Sequence, residues 1–304
     1  MNGILVIDKP QGLTSHDVVN RVRRILGQKS VGHLGTLDPS ATGVLPMVVG
    51  NLTRLAQFYF HSEKSYAGVI RFGFATDTYD ADGEPAGPAR EVRLNLEELR
   101  ELAAEFRGQI EQTPPPFSAK KIGGVPAYKL ARKKREVVLK PVQIEIKEFA
   151  ILGVENDCAR FRARVASGTY MRSVAHNMGQ KMGCGAHLAS LRRTAVAEFA
   201  LEDAHTLEEL DKATRQGSAV ELFVHPRKLL PQFPSVTAND EMIGLIRHGR
   251  AVNLPELSKA REVKVFQGQA ELIAIATRVA GTLFHAGIVF GGNSEGVGEV
   301  CNVR

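Results

Sequence analysis

Strand-like and helix-like segments alternate along this 304-residue chain without a regular β-α-β rhythm. That irregularity argues for an α+β fold and against a doubly wound parallel sheet. Ile4-Leu5-Val6-Ile7 is a continuous apolar run that reads as a buried strand, and Asp8-Lys9-Pro10-Gln11-Gly12 reads as a turn. Thr14 or Ser15 then caps a helix with Val18, Val19, Val22, Ile25 and Leu26 on one face, stopped by Gly27. A glycine-punctuated loop runs from Val31 to Pro39, and Val44 to Val49 is strand-like. Residues 66–75 alternate as a strand and lead into an acidic loop, Thr76 to Gly83. The pattern predicts a helix over 95–107, strands over 142–154 and 159–166, and helices over 171–181 and 185–193. Composition shifts between Pro226 and Pro234. Beyond it come a short helix at 242–246 and strands at 262–266, 271–276 and 283–289. Two domains are expected, residues 1–225 and a small β-rich module of residues 230–304.

Bulk properties exclude several classes. At 43% hydrophobic and 24% charged residues, the chain has the make-up of a soluble globular protein. No apolar run approaches a membrane span, and the N-terminus lacks the basic region and cleavage site of a signal peptide. Cys158, Cys184 and Cys301 are too few and too widely spaced for a disulfide framework or a zinc site. A cytoplasmic location is expected. The net charge is +6, yet residues 119–140 alone hold eight Lys or Arg against one Glu. Such clustering points to a polyanionic partner, although a charge run is more often a solvated face.

The most informative stretch is Gly32-His33-Leu34-Gly35-Thr36-Leu37-Asp38-Pro39. Its glycines permit tight turns, and Pro39 restrains Asp38 to extended backbone, so the loop presents one carboxylate on a fixed support. An Asp-Pro pair alone is most often a turn. The whole string, continued by Ser40-Ala41-Thr42-Gly43-Val44-Leu45, resembles the catalytic motif of the tRNA pseudouridine synthase B family. The resemblance extends along the chain through Asp8 to Ser15, Lys64-Ser65-Tyr66, Thr76-Asp77-Thr78 to Gly83, and Pro115 to Tyr128. It continues through Gly168-Thr169-Tyr170-Met171-Arg172-Ser173 and Leu191-Arg192-Arg193-Thr194.

The resemblance implies a catalytic domain built on a mixed, largely antiparallel sheet, followed by a PUA-like RNA-binding domain. It implies isomerisation of the T-loop uridine at position 55 of tRNA. The N1–C1′ bond breaks, the uracil turns and C5 joins C1′; no atom is gained, so no cofactor or metal is expected. Asp38 is the implied nucleophile, a role an ionised carboxylate can fill. Arg172 is the implied cation that keeps it charged, with a structural ion pair as the alternative. Tyr66 is the implied stacking partner of the flipped base, near the proton to be removed from C5. Leu191 and Tyr170 line the base pocket, His33 fills the gap left in the T loop, and Lys120 and Lys121 sit in an RNA-gripping loop. Base flipping is expected because the reacting atoms are inaccessible within a stacked loop. Whether Asp38 attacks C6, attacks C1′ or assists a glycal route stays open.

The chain departs from the commoner family pattern at Leu34, at Val165-Ala166-Ser167 and at His176-Asn177-Met178. The missing Lys before Gly168 puts one phosphate contact in doubt. Gly183-Cys184-Gly185-Ala186-His187 reads as a turn between helices, and Asp77, Asp80 and Asp82 lack the glutamate of a calcium loop. The rival readings are a guide-RNA-dependent relative, a tRNA-binding protein without catalysis, and a ribosome-associated structural protein. A monomer acting on tRNA with no guide RNA, obligate protein partner or membrane is the expectation.

Overall fold

The computed structural model describes residues 1–118, 120–122, 124–126 and 139–291. The first strand, β1 (Gly3–Lys9), is followed by helix α1 (Ser15–Leu26). Thr14 and Asp17 close a capping box at its start, and Gly27 ends it in the left-handed region. Next come β2 (Val31–His33), β3 (Thr42–Val49), the short α2 (Ala56–Tyr59) and β4 (Lys64–Phe72). Helix α3 (Leu96–Ala104) and strand β5 (Gly108–Gln112) precede a small hairpin, β6 (Lys121–Ile122) and β7 (Val125–Pro126). The long strands β8 (Val142–Glu155) and β9 (Cys158–Val165) lead to α4 (Met171–Lys181) and β10 (Ala186–Val196). The first half of the fold closes with β11 (Phe199–Ala200), β12 (Ala204–His205) and α5 (Leu207–Arg215).

All of these strands except β6 and β7, which pair only with each other, build one ten-stranded sheet in the order β12-β1-β3-β10-β4-β9-β8-β5, with β2 added to β3 and β11 to β10. Only β1–β12 and β3–β10 are parallel. The fold is therefore α+β on a mixed, largely antiparallel sheet, as expected. One element is corrected. Residues 185–193 are not a helix but most of β10, the central strand, paired along its length with β4 and at Arg192–Arg193 with β3. Bulges after Leu188 and after Arg193 break the two-residue alternation, so the local pattern does not announce a strand.

A second sheet follows, ordered β13-β15-β16-β17-β14 from strands β13 (Ser235–Thr237), β14 (Val252–Asn253), β15 (Glu262–Gln267), β16 (Glu271–Ala280) and β17 (Leu283–Val289). Helix α6 (Asp240–Arg247) covers one face through Ile243 and Ile246. Its other face is not free. Phe266, Leu272, Ile275 and Ile288 join one buried cluster with Ile4, Val6, Leu52 and Leu55 of the first half. Polar ties close the same seam. Buried Lys264 donates from Nζ to the carbonyls of Arg227 and Leu229 at 2.9 and 2.6 Å. A carboxylate oxygen of Glu198 accepts from the Tyr59 hydroxyl at 2.6 Å and from the Leu230 N–H at 2.8 Å.

The two sheets thus share a core, and removing residues 230–304 would uncover it. Phe266→Ala is expected to destabilise the whole chain by about 3–5 kcal/mol, the usual cost of truncating a buried Phe. Thermal unfolding followed by circular dichroism should show one transition moved down. Two transitions, the upper unmoved, would mean that the sheets unfold independently.

Candidate active site

Asp38 lies in a loop that no strand ladder holds, so its carbonyls must find partners elsewhere. They do so residue by residue. Arg193 donates to Gly35 and Thr36 at 3.0 and 3.3 Å. The buried Ser15 hydroxyl donates to Leu37 O at 3.2 Å and accepts the Leu37 N–H at 2.8 Å. The Ala41 N–H bonds Asp38 O at 3.1 Å. Pro39 O accepts from the Gly12 N–H at 2.8 Å and from Lys9 Nζ at 3.1 Å. Lys9 is wholly buried and spends its other donors on the carbonyls of Pro10 and Leu13. Burial pulls its ammonium down to about 8, with Asp38 opposing the fall and Arg193 adding to it. Gly43 closes the loop against β10, where an added Cβ would stand 2.2 Å from the Arg193 carbonyl oxygen. Only glycine lets the strands approach that closely.

Arg172 comes from the first turn of α4. Gln112, itself buried, holds the start of that helix by accepting the Tyr170 N–H at 2.8 Å and donating to Tyr170 O at 3.1 Å. The Arg172 guanidinium grips Asp38 at two points. Nη2 donates to Oδ1 at 3.2 Å, and Nε lies 2.9 Å from Oδ2 at an angle too oblique for a hydrogen bond. Nη1 stands 3.3 Å from Asp80 Oδ2 and donates to Thr78 O at 3.2 Å, while Nη2 also donates to Phe117 O at 3.0 Å. Arg172 is 7% exposed and Asp80 11%, but Asp38 keeps 39% of its side chain open to a cavity. Burial pushes the Asp38 carboxyl above its ordinary value; Arg172 draws it back, Asp80 adds to the rise and Lys9 opposes it. The acidic loop is therefore no cation site but an arm of this network. Asp80 Oδ1 accepts the Thr78 hydroxyl at 2.6 Å and the Asp82 N–H at 3.1 Å.

The cavity, about 270 Å³, is lined by Asp38, Tyr66, Tyr170, Arg172 and Leu191, joined by Lys64 and Arg193. Burial raises both tyrosine hydroxyls above the ordinary phenol value. It lowers Lys64 to about 8. Five of the expected site residues therefore meet in one hollow. His33 does not line it: the ring sits at the end of β2, and its Nδ1 is buried without a partner. Lys120 is half-buried and Lys121 opens the small hairpin, while residues 127–138 of the basic stretch lie outside the described residues. Lys9, Lys64 and Arg193 were not singled out from the sequence, and Asp80 was read only as one of three acidic residues that fall short of a calcium loop. Each stands inside a quoted motif, but only the tertiary contacts show what its charge meets.

A sequence model of the TruB family pseudouridylate synthase N-terminal domain matches residues 23–171, and one of the tRNA pseudouridylate synthase B C-terminal domain matches residues 172–228. The chain belongs to the TruB family. A tRNA pseudouridine synthase B from Solibacter usitatus is 48% identical over 95% of this chain and all of its own length. One from Aquifex aeolicus is 40% identical over 93% of this chain and 98% of its own. Among solved structures, a Cbf5-Nop10-Gar1 complex contains a chain with TM-score 0.68 and 26% identity, covering 92% of this chain and 79% of that one. A TruB-family site with this geometry makes the arginine hard to replace. Arg172→Lys keeps the charge but not the planar fork that spans Asp38, Asp80 and two carbonyls. Its single-turnover rate of pseudouridine formation is expected to fall about 100-fold or more, with the fold retained by circular dichroism. A rate equal to wild type would make Arg172 purely structural.

Proposed function

We propose that this chain is a stand-alone tRNA pseudouridine synthase that isomerises the T-loop uridine at position 55, with Asp38 as its nucleophile. The observation that carries the reading is the single open carboxylate, gripped by buried Arg172, at the floor of a cavity walled by Tyr66, Tyr170 and Leu191. The names of the relatives agree with it.

The chemistry follows from the residues. The hollow has room for one nucleoside, so the uridine must leave the loop stack to enter it. Tyr66 and Leu191 would sandwich the uracil. Arg172 opposes part of the rise that burial imposes on the Asp38 carboxyl, which stays open on the cavity side. Attack by the carboxylate divides the exchange into detachment and reattachment of the base. The uracil turns between the two steps, held by the apolar walls rather than by directional bonds, and C5 replaces N1 at C1′. Every atom lost is regained, so these side chains suffice without a cofactor. Lys120 and Lys121 would meet the phosphates beside the cavity. His33, outside the hollow, would occupy the space that the flipped nucleotide vacates in the T loop. We place the catalytic domain at residues 1–225 and a PUA-like tRNA-binding domain at 230–304, the whole acting as a cytoplasmic monomer with no guide RNA.

The direct test is purified protein with an unmodified T-arm stem-loop and no guide RNA, the product being mapped base by base. One pseudouridine at position 55 is expected; binding without turnover would favour a tRNA-binding protein. Asp38→Asn should abolish turnover and keep RNA affinity within about threefold, because the amide retains shape but cannot act as the nucleophile. Multiple turnover by this variant would remove Asp38 from the role.

Its stability carries a sign. The folded chain holds the Asp38 carboxyl above its unfolded value, so ionisation opposes folding. That cost is absent at pH below the unfolded carboxylate value and complete above the raised folded value. Asp38→Asn is therefore expected to melt at or above wild type at pH 7 and to lose that margin in acid. A variant that melts lower at pH 7 and equal in acid would reverse the sign.

A further inference from the structure

Phe58, Tyr59 and Phe60 are three consecutive aromatics at the end of helix α2, and the apolar packing uses two of them. The Phe58 ring meets Phe233 edge-on with centroids 5.5 Å apart, and Tyr59 lies 5.5 Å from Phe199. Phe60 is 65% exposed, and among the described residues it is the only exposed aromatic side chain. A single apolar side chain at the surface is ordinary. What sets Phe60 apart is where it stands. Ser167 donates from Oγ to Phe60 O at 2.7 Å, and Lys64 donates from Nζ to Ser62 O at 2.6 Å. Both donors line the cavity, so the turn that starts at Phe60 is fastened to the cavity rim.

The same contacts account for one departure from the family pattern. Ser167 stands where the commoner pattern has a lysine, and its short side chain is spent on the Phe60 carbonyl instead of reaching out to a phosphate. Glu63, on the same turn, is paired with Lys147 and Arg164. This part of the rim therefore offers an aromatic ring and no uncompensated carboxylate to repel a polyanion.

We propose that Phe60 is a stacking platform for a loop base that flanks the target uridine, a binding contact separate from the base pocket and from His33. This rests on the reading of the cavity as a pseudouridine synthase site. The size of the hollow selects the occupant. It has room for one nucleoside, so the nucleotides on either side of the flipped uridine stay outside, over the rim. Flipping also takes a stacking partner from those neighbours. An exposed aromatic face replaces it whatever the base, because every base has a π-face. The contact is apolar, so it adds affinity without adding to the salt dependence that phosphate contacts bring.

The test is equilibrium binding of the unmodified T-arm stem-loop to wild type, Phe60→Ala and Phe60→Trp, each as the full chain. The Phe60 ring belongs to none of the apolar clusters among the described residues, so both variants should fold. Phe60→Ala is expected to bind about tenfold more weakly, within the range of one stacked base, and by the same factor at low and high salt. The chain has no Trp, so Phe60→Trp carries a single indole; it should bind as tightly as wild type and lose about half of its emission on stacking. Stem-loops with one abasic site, moved along the loop, locate the partner: at one flanking position wild type and Phe60→Ala should bind alike. An Ala variant of wild-type affinity overturns the proposal, as does a loss that persists with every abasic RNA or vanishes at high salt. Reduced self-association of the Ala variant in sedimentation, with RNA affinity unchanged, would assign the ring to a second copy of the chain instead. Pseudouridine formation is measured on the same RNA: wild type that binds without turnover fails the functional reading, whereas the affinities alone decide the stacking contact.

Discussion

Buried cations hold the loop that carries Asp38. Backbone outside a strand or helix must satisfy its carbonyls some other way, and here Lys9 and Arg193 serve as cross-links where a ladder would otherwise run. Both ammonium and guanidinium offer several donors from one point, so each ties together backbone from distant parts of the chain. Lys9 joins the turn after β1 to Pro39, and Arg193 joins β3 to Gly35 and Thr36. The carboxylate thus stands on a frame fixed from both sides, independent of any ligand.

The same cations set the electrostatics of the cavity. Arg172 lies between Asp38 and Asp80, so its single charge serves two carboxylates and each keeps only part of its stabilisation. Asp80 is nearly closed off, whereas Asp38 faces the hollow. This asymmetry separates them: one carboxylate anchors the arginine, and the other is left open to the hollow. Tyr79, with φ of 66°, turns the acidic loop so that the Thr78 carbonyl and the Asp80 carboxylate both point at Arg172. Its ring stacks on His176, one helical turn beyond Arg172, with centroids 3.8 Å apart. The loop and the helix are thereby fastened together at the network they share.

The second sheet is bound to the first by shared apolar packing as well as by chain continuity. Phe266, Leu272 and Ile275 complete the cluster around Ile4 and Val6, and β1 runs from that cluster directly to Lys9. The seam and the lysine that braces the Asp38 loop are therefore at opposite ends of one strand. A disturbance at the seam has a short covalent path to the site, because a packed interior transmits strain.

Much of this was legible in the sequence. The capping box at Thr14 and Asp17, the stop at Gly27, the helix Met171–Lys181 and the strands from Val142 to Val165 follow from local patterns that act through neighbouring residues. The octapeptide ending in Asp38-Pro39 likewise named its own carboxylate and restrained its backbone. Local pattern failed at β10, where bulges erase the alternation and only pairing with β3 and β4 makes a strand of residues that read as helix. It also failed for charge. A lysine, an arginine or an aspartate reads as surface until its partners are known, and the partners of Lys9, Asp80 and Arg193 lie up to 158 residues away along the chain. Sequence by itself determined which groups capable of chemistry the chain carries and how its local segments fold. Tertiary structure decided which of those groups lose water and which charges then face one another, because burial and opposition of charge belong to the packed arrangement and to no single segment.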